Sequence, residues 1–579
     1  MTSADKKVIR RTYPETNLKS IHNLILRNIY AAREITQAEQ LEYSLKKLLP
    51  YTNLSGIEQA VKILAKAIQQ QQKIVIIADF DADGATSCAM MLRALHMMGA
   101  QHVDYLVPNR FSYGYGLTPE IVELALQGKP NIIVTVDNGI SSVEGVAAAK
   151  QAGVSVVVTD HHLPGAILPN ADAIVNPNQV GDEFPAKGTA GVGVAFYVML
   201  ALRAELRELK YFAAHSIADP NLANLLDLVA LGTVADVVPL EHNNRILVAQ
   251  GLARVRKGQC CPGISALLHV AKRNQAQCVA SDFGFTVGPR LNAAGRLEDM
   301  SLGIECLLTD DPAKAAKLAS ELDGLNKQRR HIETDMRQQA YIALEKLELD
   351  DDMPVGVCLY DKNWHQGVIG ILASRVKEQL YRPVIAFAPG EEAGSIKGSA
   401  RSIPGLHIRD VLDAVAAKHP ELISKFGGHA MAAGLSLPSE NFELFSQAFD
   451  QQVRAVLSND DLEGLILSDG ELTEKELSLE FAEQLRNAGP WGQGFPEPVF
   501  DGEFEIVSKK ILAEKHLKMM LRLPNDSGCI DAIAFNMTDA DWPAGTNRVN
   551  LAYRLDVNEF QGRKTAQLMV EQLEPIKFG

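Results

Sequence analysis

Acidic and imidazole side chains directly follow three short apolar runs in this chain. Asp79, Asp81 and Asp83 come after IVIIA, Asp137 after NIIVTV, and Asp160, His161 and His162 after VSVVVT, while Asp236 sits in DLVALGTVADVVPL. So many carboxylates brought to one place would raise one another's pKa and be intolerable without cations. Divalent ions remove the conflict, and two ions roughly 3.5–4 Å apart would make a hydroxide nucleophile and stabilise the leaving oxygen of a phosphoester. Each piece also has a plainer reading. DxDxDG resembles a calcium loop, but that loop needs Glu at its twelfth position and Met90 stands there. A lone Asp after a strand caps the next helix. Convergence of all of them is what points to a metal site.

Convergence requires elements that deliver these residues to a common rim. From about residue 74, β-branched runs alternate with amphipathic stretches such as TPEIVELAL and SSVEGVAAAKQAG. Apolar runs of this kind separated by helices mark a parallel sheet covered on both faces. The expected fold is therefore multidomain α/β with a doubly wound sheet, whose ligands bind beyond the carboxyl ends of the strands. Residues 312–348 read as one long helix with Pro312 in its first turn and Gly324 as a possible break. At ~1.5 Å per residue it would span roughly 50 Å, enough to connect two domains. A second α/β region follows, with VGVCLY, PVIAFA, a helix start at HQGVIGILASRV and a glycine-rich FGGHAMAAG. Short alternating segments after residue 460 predict a small β-barrel of the oligonucleotide-binding kind. The expected divisions are 1–50 (an extension carrying no motif), 51–311, 312–348, 349–457 and 458–579.

Composition bounds these expectations. The 579 residues exceed what one core organises, and 46% hydrophobic with 22% charged residues is ordinary globular composition. Seven scattered cysteines form neither a disulfide framework nor a zinc-site spacing. The N-terminus MTSADKKVIRRTYPE carries no apolar stretch, and no window is apolar enough to cross a bilayer, so the cytoplasm and no membrane contact are expected. The formal net charge of −14 argues weakly against nucleic acid, because phosphate binding needs only a local positive groove.

DFDADG, VDNG and TDHH in this order, with TVADV beyond them, resemble the four motifs of the DHH phosphoesterases. PNRFSYGYGL and GPRLNAAGRL are similar to the RecJ branch, and WHQGVIGILASRV, GSARS and FGGHAMAAG to its accessory DHHA1 domain. The resemblance implies a hydrolase that removes 5′ mononucleotides from single-stranded DNA in the 5′→3′ direction, with two Mn2+ or Mg2+ ions, in recombination and repair. It implies that Asp81 and Asp137 hold one metal and that Asp83, Asp137, His161 and Asp236 hold the other, with Asp137 bridging. Asp79 and His162 would stand beside them as outer ligand or proton-transfer group, with Asp160 in the same catalytic set. Related pyrophosphatases carry a His ligand where Ile77 stands here, which implies a weaker or more hydrated first site.

Arg110, Arg290, Arg296 and Arg401 are expected in Gly- or Ser-rich loops, where guanidinium groups fork onto phosphate or form structural ion pairs. Gly427 and Gly428 with His429 could form a backbone nest or a packing turn. The resemblance favours DNA for both sets and for Ser399, with a terminal 5′-phosphate as the anchor. Trp491 and Phe495 fit either base stacking or anchoring of a loop. A single-strand-binding protein and a RecQ-type helicase are the partners the resemblance implies, and the number of domains in one chain fits a working monomer. Two other readings stay open: a hydrolase of dinucleotides or other small phosphoesters, which has no use for the terminal barrel, and a scaffold without catalysis, which should have lost the acids kept here.

Overall fold

The computed structural model describes residues 6–108, 116–348, 353–458, 460–523, 528–539, 542, 545–560 and 562–576. They fall into two compact units. One comprises residues 12–326 and 480–498, the other residues 1–11, 327–479 and 499–579.

Strand β1 (Lys7–Arg10) belongs to the second unit and is taken up below. The first unit is built on a parallel sheet of β2 (Ile74–Ala78), β3 (Val103–Leu106), β4 (Ile132–Val136), β5 (Ser155–Thr159) and β6 (Ala173–Val175), in the order β3-β2-β4-β5-β6. Every residue of β2 and β4 is buried, because helices cover both faces. Val75, Ile77, Ile133, Val156 and Val158 pack on helices Pro119–Gln127 and Val143–Gln151. Helices Ala82–Met97, Gly191–Glu208 and Leu226–Ala235 pack against one another. The chain leaves β2 for β3 on one side and returns to β4 on the other, so the strand order reverses between β2 and β4. Such a reversal opens a crevice at the carboxyl ends of the strands. The doubly wound sheet expected from the sequence is present; β6, three residues long, has no apolar run to announce it.

Helix Pro312–Glu348 runs unbroken through Gly324, 37 residues and about 56 Å at 1.5 Å per residue. A Cβ on Gly324 would meet nothing within 4 Å, so glycine there is not a packing requirement.

In the second unit, β7 (Val357–Tyr360), β8 (Val384–Pro389), β9 (Ser395–Arg401), β10 (Lys425–Gly428) and β11 (Ala432–Pro438) form a mixed sheet in the order β10-β11-β9-β8-β7. The helix of the HQGVIG segment begins only at Ile369, and the glycine-rich FGGHAMAAG forms the β10–β11 hairpin. Strand β12 (Leu465–Ser468) pairs in parallel with β1, so residues 7–10 join chain-distant ends of this unit. The barrel closes as β13 (Phe500–Leu512), β14 (His516–Arg522), β15 (Cys529–Ala534), β17 (Arg563–Pro575) and β16 (Arg548–Phe560), with β15 and β17 parallel. Closure removes free strand edges. Among the described residues no helix is long and apolar enough to cross a membrane, and the cysteines are free.

Candidate metal centre

The acids meet at the strand-order reversal. Asp79, Asp137 and Asp160 are the first residues beyond β2, β4 and β5, and each amide still bonds the neighbouring strand, to the carbonyls of Val136, Thr159 and Val175. Asp81 caps helix Ala82–Met97, accepting from the amides of Asp83 at 2.9 Å and Gly84 at 3.1 Å. Asp83 in its first turn accepts from the amides of Gly191 at 2.7 Å and Val192 at 3.0 Å, the start of another helix. That helix terminus places partial positive charge on a buried carboxylate. Asp236 ends helix Leu226–Ala235.

Ligand atoms of Asp83, His161 and Asp236 lie within 4.8 Å of one another, as do those of Asp79, Asp81 and Asp137, and those of Asp137, His161 and His162. His161 Nε2 stands 3.1 Å from Asp137 Oδ1 and 3.4 Å from Asp236 Oδ2. Burial, then Asp236 and Asp81, hold the Asp83 carboxyl well above the usual range, against the two amide bonds. Burial, then Asp83, Asp81, Asp236 and Asp79, do the same to Asp137. Asp236 is pushed up to about 7, first by burial and then by Asp81. Its Oδ2 is buried without a hydrogen bond. Carboxylates this crowded, with an orphaned acceptor and an imidazole among them, fit divalent cations, and a mixed oxygen and nitrogen donor set suits manganese somewhat better than magnesium. Where the pyrophosphatases carry their His, Ile77 is buried in β2, and Asp79 joins Asp81 and Asp137 as a third carboxylate.

Asp160 is turned to a different task. Its carboxylate bonds His162 Nδ1 at 2.7 Å, the amides of His161 and His162, and the amide of Ile140. Burial opposes the charge on His162, but the bond to Asp160 and its charge prevail, raising the imidazole to about 9. Asn178 and Asn176 brace the same loop through the carbonyls of His161 and His162.

Several supports carry no titratable group and were not among the expected site residues. A Cβ on Gly191 would lie 2.6 Å from Asp137 Oδ1, and one on Gly232 2.7 Å from Asp83 Oδ1. Asn138 donates to the carbonyls of Ile77 and Val136, locking the ends of β2 and β4 together. The amide of Ala82 donates to Asn292 Oδ1 at 2.7 Å. The closely spaced glycines of GTAGVGV were the available signal for Gly191.

In the second unit, Ser399 and Arg401 converge on the first turn of helix Ile369–Leu380: a Cβ on Gly370 would lie 2.9 Å from Arg401 Nη2 and 3.0 Å from Ser399 Oγ. Arg401 Nη1 donates to Ser399 Oγ and the Ala400 carbonyl. Register aligns Ser399 with Gly434 and Gly427, and Arg401 with Ala432. A helix start, a guanidinium and the bare backbone of Gly427 and Gly434 alongside Ser399 form a cradle suited to an anion. Of the nest and the packing turn open for Gly427, Gly428 and His429, the structure holds a tight hairpin turn: both glycines lie in an edge strand and the His429 amide donates to the Ala432 carbonyl.

Arg290, Trp491 and Phe495 have internal partners. Arg290 is 8% exposed, its Nε and Nη2 on Asp323 at 2.9 and 2.8 Å and its Nη1 on the Thr286 carbonyl, so its charge serves an internal ion pair. Trp491 and Phe495, 8% and 1% exposed, anchor a loop: they stack on each other and on Tyr30, with Arg245 over the Phe495 ring. Arg290 and Arg296 lie in helix Gly288–Leu297 and Arg401 ends β9, none of them in the loops expected, and Arg110 falls outside the described residues.

Three family descriptions match: the DHH family N-terminal domain over residues 73–233, the DHHA1 domain over 352–455 and the RecJ OB domain over 468–572. The single-stranded-DNA-specific exonuclease RecJ of Dickeya dadantii is 55% identical over 98% of this chain and 99% of its own length. The chain belongs to the RecJ family. The structure of Thermus thermophilus RecJ in complex with Mn2+ matches with a TM-score of 0.79 at 28% identity, covering 99% of this chain and 80% of that one. The Mg2+ complex of the same RecJ matches with a TM-score of 0.74 at 27% identity, over 99% and 78% of the two chains. Both metals that the resemblance implies are thus found bound to that RecJ.

Proposed function

We propose that the chain is a 5′→3′ exonuclease specific for single-stranded DNA, releasing 5′ mononucleotides by two-metal hydrolysis. The observation that carries this reading is the gathering of Asp79, Asp81, Asp83, Asp137, His161 and Asp236 at the strand-order reversal. Asp79, Asp81 and Asp137 would hold one ion and Asp83, Asp137, His161 and Asp236 the other, with Asp137 shared. Divalent ions held there would supply a hydroxide at neutral pH and offset charge on the phosphate oxygens.

The chain's own contribution is orientation and a proton. Asp160 fixes His162 through Nδ1 and leaves Nε2 to deliver a proton to the leaving 3′ oxygen. The bond to Asp160 and its charge favour the protonated imidazole, which would carry that proton. Ser399 and Arg401, with Gly428 and His429 in the adjoining hairpin, take the terminal 5′-phosphate, and Arg110 and Arg296 contact phosphates along the strand. The closed barrel, useless to a dinucleotide hydrolase, offers a platform for a long single strand. This activity fits homologous recombination, mismatch repair and base-excision repair in the cytoplasm. A single-strand-binding protein and a RecQ-type helicase would present the strand, and the chain works as a monomer.

The test is mononucleotide release from a long single strand labelled at either end, with Mn2+, Mg2+ or chelator. Early, metal-dependent release of the 5′ label with no release from blunt duplex is expected. Activity confined to dinucleotides would refute the long-strand reading, and early loss of the 3′ label would reverse the polarity.

A further inference from the structure

Phe283–Val287, sequence FGFTV, forms a single π-helical turn that runs directly into helix Gly288–Leu297. Such turns hold more residues than an α turn and concentrate at functional sites. Phe283 is buried, whereas Phe285 is 80% exposed, forgoing the burial a phenyl ring normally gains.

The turn is fixed against the metal centre. A Cβ on Gly284 would lie 3.4 Å from Val234 Cγ1 and one on Gly288 3.1 Å from Ala235 Cβ, so the turn packs on the last residues before Asp236. Downstream, Asn292 accepts from the amide of Ala82, between Asp81 and Asp83. Gly295 packs against the Phe80 carbonyl with no room for a side chain. Arg290 Nη1 holds the Thr286 carbonyl at 2.7 Å while its other nitrogens bond Asp323, which gives that internal ion pair a purpose. Val237, immediately after Asp236, is also exposed (63%) and sits in the left-handed region at φ 63°.

We propose that Phe285 is a stacking platform for a nucleobase of the strand whose phosphodiester lies at the metal centre. The inference rests on the single-strand reading above. Every base has a π face, so this grip is independent of sequence. Because the turn is pinned to the residues flanking Asp81, Asp83 and Asp236, the ring sets the register of a base against the scissile phosphate.

The test uses full-length protein in chelator, which allows binding without cleavage, and short 5′-phosphorylated single strands carrying 2-aminopurine at successive positions from that end. The wild type should quench the probe strongly at one or two positions. Phe285→Ala should lose that quench and bind about tenfold more weakly, the scale of one lost base–aromatic stack. Phe285→Trp should restore both. With abasic residues at the quenched positions, wild type and Phe285→Ala should bind alike. Identical quenching by wild type and Phe285→Ala at every position overturns the proposal, and so does failure of Phe285→Trp to rescue. Metal-dependent cleavage by the wild type is read separately. Cleavage with identical quenching sinks the stacking site alone, whereas a Phe285-dependent quench without cleavage sinks the exonuclease reading and keeps the platform.

Discussion

At the scale of single residues, the metal centre is a set of charges that do not tolerate one another in the bare protein. Asp137 is buried among Asp83, Asp81, Asp236 and Asp79, all of which raise its carboxyl. Asp137→Asn keeps the shape and removes the charge, so it should abolish cleavage beyond the roughly 10–100-fold that outer-shell changes cause. In chelator its melting temperature should equal or exceed that of the wild type; a large drop would mean that Asp137 has a structural role. The same crowding sets a pH dependence. An unfolded Asp titrates near ~3.9, and Asp236 in the folded chain near about 7. The folded state holds the proton more tightly, so this stabilisation is complete below the unfolded value, declines as pH rises toward 7 and is then lost. Chelated protein should therefore melt lower at pH 8 than at pH 5.5, with a shallower decline in Asp236→Asn. Saturating Mn2+ should raise the melting temperature more at pH 8; equal rises at both pH values would contradict the scheme.

At the scale of elements, helix starts and glycines make the charges possible. The helix beginning at Gly191 neutralises Asp83 with two amides, and Gly191 itself leaves room for Asp137. Gly191→Ala should push Asp137 aside and weaken Mn2+ binding by roughly 10–100-fold, as changes beside ligands do, which calorimetric titration would detect. Asp160 likewise organises the loop after β5 through three amides and one imidazole. Asp160→Ala would leave buried donors unpaired, at about 1–3 kcal/mol for each. It should lower both the melting temperature and the cleavage rate, and retention of full activity would remove Asp160 from the positioning role. The strands that lead to these residues were legible, because a sheet covered on both faces writes continuous apolar runs. The contribution of residue 191 to a carboxylate at residue 83 was not, since no local pattern encodes a bond 108 residues long.

At the scale of the whole molecule, both compact units are assembled from chain-distant segments. Residues 480–498 pack with residues 12–326, and residues 7–10 pair with β12. The first of these joins is held by aromatic and cationic groups. Trp491 donates to the Leu485 carbonyl and lies beneath Arg33, while Tyr30 and Arg33 bond the carbonyls of Ala488 and Pro496. Trp491→Ala should cost about 3–5 kcal/mol of stability, the usual range for a buried Trp, and leave affinity for single strands unchanged. Lost affinity at unchanged melting temperature would instead restore Trp491 to base stacking.

The sequence by itself determined the doubly wound sheet, the long helix and the barrel, and it singled out the acids and imidazoles that gather at the strand-order reversal. Periodicity records which faces are buried, and a strand followed at once by Asp records what stands at its end. Only the tertiary structure decided what each of those side chains meets. It placed Asp79 with Asp81 and Asp137, turned Asp160 toward His162 and away from the ligand set, tied Arg290 to Asp323, and buried Trp491 while exposing Phe285. Most of these outcomes depend on partners tens to hundreds of residues away, and even the short Asp160–His162 bond sits in a loop braced by Asn176 and Asn178; composition and spacing are the same whichever partner a side chain finds.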